Sequence, residues 1–287
     1  SVLETTANPY ILSMGSPETA TRRLNAAQAF NPLGAITGIL MSKYFILSDI
    51  SLYSVSGTYM SLGIALLVIM VVMLFVKMPV SSESSLSCSV GSVVSRLFRN
   101  RKYSLGVLAQ FFYMGSQVGV WSFTIRLVMS EMSMNESEAS TIYLISIILF
   151  SLARFLFTYL MKWYKPVKLL AFCGGASALL SVLVATQHGW VCIIALVLIS
   201  FFMSLMFPTI YGTALDGVGD PARGGHPDDA KIGASGLIMA ILGGALLSPL
   251  QGAMSDSFGI NISFFAPAVF FVIVMGYALT VALAKEN

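Results

Sequence analysis

Residues 190–214 have the sequence WVCIIALVLISFFMSLMFPTIYGTA, in which no side chain carries a charge. The hydrocarbon core of a bilayer is about 30 Å thick, and a helix needs about 20 apolar residues to cross it. In a water-soluble domain roughly a quarter of the residues are charged, so an uncharged stretch of this length would be hard to accommodate. The stretch therefore predicts a membrane-spanning helix.

The same pattern recurs along the chain, whose residues are 56% hydrophobic and only 10% charged. Backbone polar groups in lipid must be hydrogen-bonded within the protein, and the alternation typical of barrel strands is absent from the sequence. We therefore expect an all-α integral membrane protein. Residues 1–14 are expected to be the last part of one span, and eight further spans are predicted at residues 24–47, 58–78, 103–129, 139–161, 167–186, 190–214, 232–254 and 262–284.

The basic residues predict the orientation of these spans. If the loop at 15–23 lies inside and the spans alternate, only Lys43 and Arg126 of the 16 Lys and Arg fall outside. Basic residues concentrate in cytoplasmic loops, so the C-terminus is expected to be cytoplasmic, and the bacterial inner membrane is the expected location. With these charges assigned to loops at the bilayer surface, no basic surface remains to bind nucleic acid, and the lipid bilayer is the expected surrounding.

Residues 79–102, which are rich in Ser and then basic, divide the spans into two groups. They predict a cytoplasmic linker with a short amphipathic helix at 93–98. Residues 103–287 are expected to form a complete C-terminal six-helix bundle, and residues 1–78 the tail of an N-terminal bundle, as in transporters built from two six-helix halves. Because the chain begins with Ser inside an apolar-looking segment, we expect a fragment or truncated product of a longer chain.

Glu4 is the one carboxylate near the middle of a predicted span. About 12 residues, or roughly 18 Å of helix, separate it from the inner loop near Ser16. An ionisable group at this depth is costly and marks a functional site by default. The alternative is that Glu4 is simply solvated at a cut terminus.

Gln28 and Asn31 lie at similar depth on the next span, where Asn25, Gln28 and Asn31 recur at helical spacing. Amides beside a carboxylate suit the binding of hydroxyl groups, because an amide both donates and accepts hydrogen bonds. The alternative is polar contact between helices. The pairs Asn8-Pro9 and Asn31-Pro32 predict a break in each helix near this site.

A second polar stripe is predicted on the span at 103–129, formed by Gln110, Tyr113, Gln117 and Trp121. Amides with aromatic rings suit a sugar, whose hydroxyl groups need hydrogen bonds and whose C–H faces contact rings. An aromatic packing seam fits the pattern equally well.

Asn8 and Pro9 are structural or gating candidates, and Arg154 and Pro208 are two more. Arg154 lies within a span, where it is expected to snorkel inward or to pair with an acid or with main-chain carbonyls. Pro208 predicts a kink. Neither the Cys nor the His residues have metal-ligand spacing, and no phosphate-binding loop is present, so no metal or cofactor is expected.

The segments around these residues resemble the fucose/glucose–galactose proton symporter family of the major facilitator superfamily. The resemblance is carried by ETTANPY at 4–10, RLNAAQAFN at 23–31 and AQFFYMGSQ at 109–117, with Arg154-Phe155 and Phe207-Pro208-Thr209-Ile210 behind them. It covers the whole chain, from the inner part of helix four to helix twelve. It implies that Glu4 takes part in sugar recognition and proton coupling, and that Gln28 and Asn31 bind the sugar.

The expected function is thus proton-coupled uptake of a monosaccharide, with L-fucose favoured and the proton as the coupling ion. A symporter of the same family for glucose or galactose is the alternative, and an inactive truncated membrane fragment is another. An enzyme is not expected, because no paired acid and base lie within the spans. The full-length protein is expected to be a monomer.

Overall fold

The computed structural model describes residues 2–41, 52–75, 89–220 and 225–284. Within these residues every regular element is helical, as predicted. Short 3₁₀ turns occur at Pro17–Thr19 and Ile262–Phe264. The α-helices in the described residues are α1 (Val2–Ser13), α2 (Ala20–Gln28), α3 (Asn31–Met41), α4 (Leu52–Phe75), α5 (Val90–Arg99), α6 (Arg101–Met132), α7 (Glu136–Leu160), α8 (Pro166–Thr186), α9 (Gly189–Met203), α10 (Met206–Leu215), α11 (Pro227–Met239), α12 (Leu242–Phe258) and α13 (Phe265–Ala284).

The chain forms two compact units. The first contains Ser1–Phe30 and Leu86–Asn287, and the second contains Asn31–Ser85. Within the second unit, the apolar segment Val55–Phe75 is only 6% buried. A helix that is apolar on all sides is typical of a membrane span. The division into an N-terminal bundle at 1–78, a linker at 79–102 and a C-terminal bundle at 103–287 stays a prediction.

In the described residues, six helical segments are long and apolar enough to cross a membrane, and they match six of the eight predicted spans. The predicted span at 24–47 is divided between the separate helices α2 and α3. Residues 42–47 of this prediction lie outside the described part. The predicted span at 103–129 lies within the continuous helix α6, which is not one of the six segments. The six segments are Val55–Phe75, Glu138–Leu160, Pro166–Thr186, Gly189–Leu215, Asp228–Phe258 and Ile262–Ala284.

The helices of the first unit pack closely around α6. The main hydrophobic cluster is formed largely by α6, α7, α8, α9 and α13. On α12, a side chain in place of Gly243 would overlap the main-chain carbonyl of Phe111 on α6. Small residues let membrane helices approach to this distance. Gly243 therefore permits the close packing of α12 on α6.

The predicted linker at 79–102 includes the amphipathic helix α5, which confirms the predicted helix at 93–98 and extends it at both ends. Val93 and Leu97 are buried in a second hydrophobic cluster that also includes Leu237 of α11. Arg96 pairs with Asp229 of α11, with a guanidinium nitrogen 2.6 Å from a carboxylate oxygen. The linker helix is therefore held on α11 by both apolar contacts and charge.

At the C-terminal end of α6, the carboxylate of Glu131 joins three parts of the first unit. Glu131 accepts hydrogen bonds from His188 Nδ1 (2.9 Å), the Gly189 N–H (2.7 Å) and Asn261 Nδ2 (2.8 Å). Burial acts to raise the pKa of Glu131, but these hydrogen bonds outweigh it and hold the pKa below its ordinary value. The carboxylate thus stabilises the loops before α9 and α13.

Candidate functional site

Glu4 lies half-buried on α1, one helical turn before Asn8, so the two side chains share a face of the helix. Asn8 is only 2% exposed. The helix continues from Val2 to Ser13 through Pro9, so the predicted break at Asn8-Pro9 is wrong. A proline removes a single N–H donor, and a membrane helix continues where other groups satisfy the freed carbonyl.

Gln28 connects α2 to this face of α1, since its Nε2 donates a 2.9 Å hydrogen bond to Asn8 Oδ1. The hydroxyl of Tyr211 on α10 is buried, and Glu4 is near enough to it to act on it electrostatically. Within the described residues, Asn8 Nδ2 and the Tyr211 hydroxyl have no hydrogen-bond partner. A carboxylate, two amides and a phenol therefore come from three helices, with two polar groups open. Such a cluster can bind the hydroxyl groups of a ligand.

Arg154 of α7 is only 4% exposed and therefore does not snorkel to the surface. Its Nε donates to the main-chain oxygen of Ser204 at 2.6 Å, and a terminal guanidinium nitrogen donates to that of Gln28 at 2.9 Å. The guanidinium also lies 4.6 Å from the centre of the Phe150 ring. Of the two partners predicted for it, an acid or main-chain carbonyls, the structure shows carbonyls.

Those two carbonyls are available for a common reason. A helix carbonyl normally accepts from the N–H four residues later. For Gln28 that residue is Pro32, and for Ser204 it is Pro208, neither of which has an N–H. The helices are interrupted at both places, which confirms the predicted break before Pro32 and gives an interruption before Pro208. Arg154 supplies the hydrogen bonds that the prolines cannot, and so links α2 to the α9–α10 junction.

Two members of the α6 stripe pack against α9. The Tyr113 hydroxyl donates to the main-chain oxygen of Met203 at 3.0 Å, beside the carbonyl that Arg154 binds. Trp121 Nε1 lies 3.4 Å from the hydroxyl oxygen of Ser200. The Trp121 ring meets Phe150 edge-on at 5.1 Å. These contacts have the form of the packing seam, and a role of Tyr113 and Trp121 in sugar binding stays a prediction.

The glutamines of the stripe differ from their aromatic neighbours. Gln110 is fully buried, and neither of its amide atoms has a hydrogen-bond partner in the described residues. Gln117 is half-buried. Sequence reasoning missed Gln251 of α12, which is 1% exposed. Like those of Gln110, its two amide atoms have no hydrogen-bond partner in the described residues. Its position as the lone amide in the apolar, glycine-containing run at 242–254 could have revealed it.

The remaining two amides, Asn25 and Asn31, have different surroundings. Asn25, predicted to share a face with Gln28, is fully buried and donates to Thr209 of α10 at 3.2 Å. Asn31 is the exposed first residue of α3 and belongs to the second unit. Its part in sugar binding stays a prediction. Sequence reasoning also missed Tyr211, although it directly follows the segment 207–210 that helped to carry the family resemblance.

Comparison with known proteins decides the family, because the sequence pattern of the Major Facilitator Superfamily matches residues 1–226. The chain belongs to the major facilitator superfamily. It is therefore an integral membrane protein of a transporter family. The helical architecture and the resemblance predicted from the sequence are confirmed.

Individual relatives give a finer comparison. The chain is 36% identical to the L-fucose-proton symporter of Haemophilus influenzae, across 96% of this chain and 70% of that protein. It is 29% identical to the glucose/galactose transporter of Brucella abortus, across 97% of this chain and 68% of that protein. The crystal structure of the Escherichia coli fucose:proton symporter covers 97% of this chain and 73% of that one, at a TM-score of 0.87 and 29% identity.

Proposed function

We propose that this major facilitator protein carries a monosaccharide across the membrane together with a proton, with L-fucose as the favoured sugar. The observation that carries the proposal is the hydrogen bond between Gln28 of α2 and Asn8 of α1, close to Glu4 on the same face of α1, with the Asn8 Nδ2 group buried and without a hydrogen-bond partner in the described residues. The names of the relatives support it, since one of them is an L-fucose-proton symporter with 36% identity.

In this proposal Gln28 binds sugar hydroxyl groups and Glu4 both contacts the sugar and exchanges the proton. A carboxylate can bind a hydroxyl in either protonation state, as acceptor when ionised and as donor or acceptor when protonated. Its change of charge gives the proton an effect on the free energy of the loaded state. Asn31, Gln110, Tyr113, Gln117 and Trp121 complete the proposed sugar-binding set.

Arg154, Pro9 and Pro208 have structural or gating roles in the proposal. The proton is the coupling ion, and no metal or organic cofactor takes part. The protein acts as a monomer in the bacterial inner membrane with its C-terminus in the cytoplasm, the side on which basic loops concentrate.

Transport of glucose or galactose is the second candidate, favoured by the glucose/galactose transporter of Brucella abortus among the relatives. A binding pocket discriminates between sugars according to whether each sugar hydroxyl group forms a hydrogen bond with the protein. The test is uptake of radiolabelled L-fucose, D-glucose and D-galactose into vesicles containing the full-length protein, with an imposed proton gradient.

We expect L-fucose accumulation that a protonophore abolishes. Accumulation of glucose or galactose in place of L-fucose would favour the second candidate. Sugar accumulation that is the same with and without the protonophore would contradict proton coupling.

A further inference from the structure

The turn between α7 and α8, at residues 161–165, carries positive charge that the protein does not neutralise. Lys162 and Lys165, which we call the turn lysines, are exposed, as is Lys168 in the first turn of α8. Residues 139–215 contain no Asp or Glu. Within the described residues, neither turn lysine forms an ion pair. Their charges therefore remain available to a group outside the described part of the chain.

Other basic residues on the side predicted to be cytoplasmic have acidic partners. Arg96 pairs with Asp229, and Lys102 Nζ lies 3.0 Å from a carboxylate oxygen of Asp216. Glu18 and Asp216 both line a cavity of about 550 Å³ that reaches the start of α8, yet neither carboxylate is paired with a turn lysine. The turn lysines thus differ from the basic residues of the linker.

The turn is held in place by the core of the first unit. Met161 and Val167, which flank the turn lysines, are both buried in the main hydrophobic cluster. The Trp163 N–H donates a 3.0 Å hydrogen bond to the Leu160 carbonyl. The main chain between α7 and α8 is therefore fixed, and this restricts where the two charges can lie.

An exposed stripe on α7 leads to this turn. Leu152, Leu156 and Tyr159 recur at helical spacing, Trp163 follows them in the turn, and all four are exposed. The Tyr159 and Trp163 rings meet edge-on at 4.7 Å, and Lys162 Nζ lies 4.6 Å from the centre of the Tyr159 ring. Tyr and Trp are enriched where membrane helices meet the lipid headgroups. The stripe therefore places Lys162 at the level of the headgroups.

Helix α8 has a matching surface. Phe172 and Leu179 are exposed, and they follow Lys168 along the helix towards the middle of the span. Phe172 meets Phe202 of α9 edge-on at 5.9 Å, and Phe157 of α7 lies 6.5 Å from the same ring. The two helices are therefore linked through α9, and both expose apolar side chains on the membrane side of the turn.

We propose that the turn lysines, together with Lys168, bind the phosphate group of an anionic phospholipid in the cytoplasmic leaflet. The acyl chains of this lipid lie along the exposed side chains of α7 and α8. An ammonium group donates up to three hydrogen bonds and carries the charge that a phosphate requires. A free phosphate would have only the exposed lysines, whereas a lipid adds the apolar contacts of both stripes. The site is independent of which solute the protein transports.

The test uses the fluorescence of Trp163, which lies beside the turn lysines. The full-length protein, with every other tryptophan replaced by Phe, is placed in vesicles of phosphatidylcholine and phosphatidylglycerol. One lipid or the other carries bromine atoms on its acyl chains close to the headgroup. Quenching then gives the binding of phosphatidylglycerol relative to phosphatidylcholine at this turn. The variants are Lys162→Gln/Lys165→Gln, Lys162→Arg/Lys165→Arg and, as a control on the side predicted to be outside, Arg126→Gln.

We expect the parent to prefer phosphatidylglycerol by about 5- to 25-fold, at about fivefold for each turn lysine near the anionic headgroup. The Gln pair should bring the ratio close to one. The Arg pair should keep the parent ratio, because a guanidinium also binds phosphate. Arg126→Gln should leave the ratio unchanged. Inorganic phosphate should lower the ratio no more than sodium chloride does at the same ionic strength.

A parent ratio retained by the Gln pair would overturn the proposal. An equal loss in the Arg pair would also overturn it, because charge would then not be the source of the preference. A fall in Arg126→Gln as large as that in the Gln pair would indicate a general effect of net charge and would contradict a site at the turn. A specific loss caused by inorganic phosphate would assign the lysines to a free anion in place of a lipid.

Discussion

The hydrogen bond between Gln28 and Asn8 gives a prediction whose size follows from the structure. Gln28→Ala removes the amide that donates to Asn8 Oδ1 at 2.9 Å, and Asn8 is only 2% exposed. In the proposed site the same substitution removes a partner for a sugar hydroxyl. Leaving one polar group unpaired costs about 1–3 kcal/mol. We therefore expect sugar binding to weaken by about 5- to 150-fold.

The assay is equilibrium binding of radiolabelled L-fucose to the purified full-length protein. Asn31→Ala is expected to weaken binding by a similar amount, about 1–3 kcal/mol. Gln187→Ala is the matched control, because this glutamine is exposed at the end of α8 and should leave the dissociation constant unchanged. Unchanged binding in both Gln28→Ala and Asn31→Ala would refute the reasoning and return these amides to the role of contacts between helices.

Three further predictions concern other parts of the protein. Arg154→Met should lower the free energy of unfolding by about 2–6 kcal/mol, about 1–3 for each of the two carbonyls that lose their donor. Arg154→Lys should lose less, since an ammonium keeps the charge but lacks the planar set of guanidinium donors. Equal thermal stability of Arg154→Met and the parent would contradict this. The pKa of Glu131 is lowered in the folded state, so its contribution to the free energy of unfolding should be present above its unfolded pKa and disappear as the pH falls through its folded pKa. Glu131→Gln, unfolded in detergent, should lack that pH dependence. A variant with the same pH profile as the parent would exclude the carboxylate as its source. A cysteine introduced as Arg99→Cys should resist a membrane-impermeant reagent added outside, whereas ready labelling would overturn the predicted orientation.

The helical membrane fold was predictable because length and polarity of a run determine whether it can cross a bilayer. Residues 190–214 illustrate this, since the apolar helical segment Gly189–Leu215 is only one residue longer at each end than the predicted span. The span at 24–47 was less predictable. Asn31-Pro32 marked its interruption, but the same kind of pair at Asn8-Pro9 left α1 continuous, because a proline removes one bond and the neighbouring helices determine whether the helix ends there.

The site was predictable where two residues lie on joined helices, and less so where the partner is distant in sequence. The short loop between α1 and α2 made a contact of Gln28 with α1 foreseeable. Asn25 lies three residues before Gln28, about 60° away around the helix, and that angle is enough to direct it to Thr209 on α10. The partners of Arg154 could not be chosen from sequence, because they are main-chain atoms released by two prolines far apart in the chain.

Glu4→Gln tests the central claim, that this carboxylate couples proton and sugar movement. Glutamine keeps the size and some hydrogen bonding of glutamate but cannot titrate. A residue fixed in one protonation state cannot contribute a proton-dependent change to the free energies of the binding states. Glu4→Ala is the comparison variant, expected to impair both binding and coupling because it also removes the hydrogen-bonding group.

The measurement compares proton-driven accumulation with equilibrative counterflow of L-fucose in vesicles containing the full-length protein. The account predicts that Glu4→Gln loses accumulation while counterflow is largely retained. Normal accumulation by Glu4→Gln would contradict it and leave Glu4 as a sugar ligand or a structural residue.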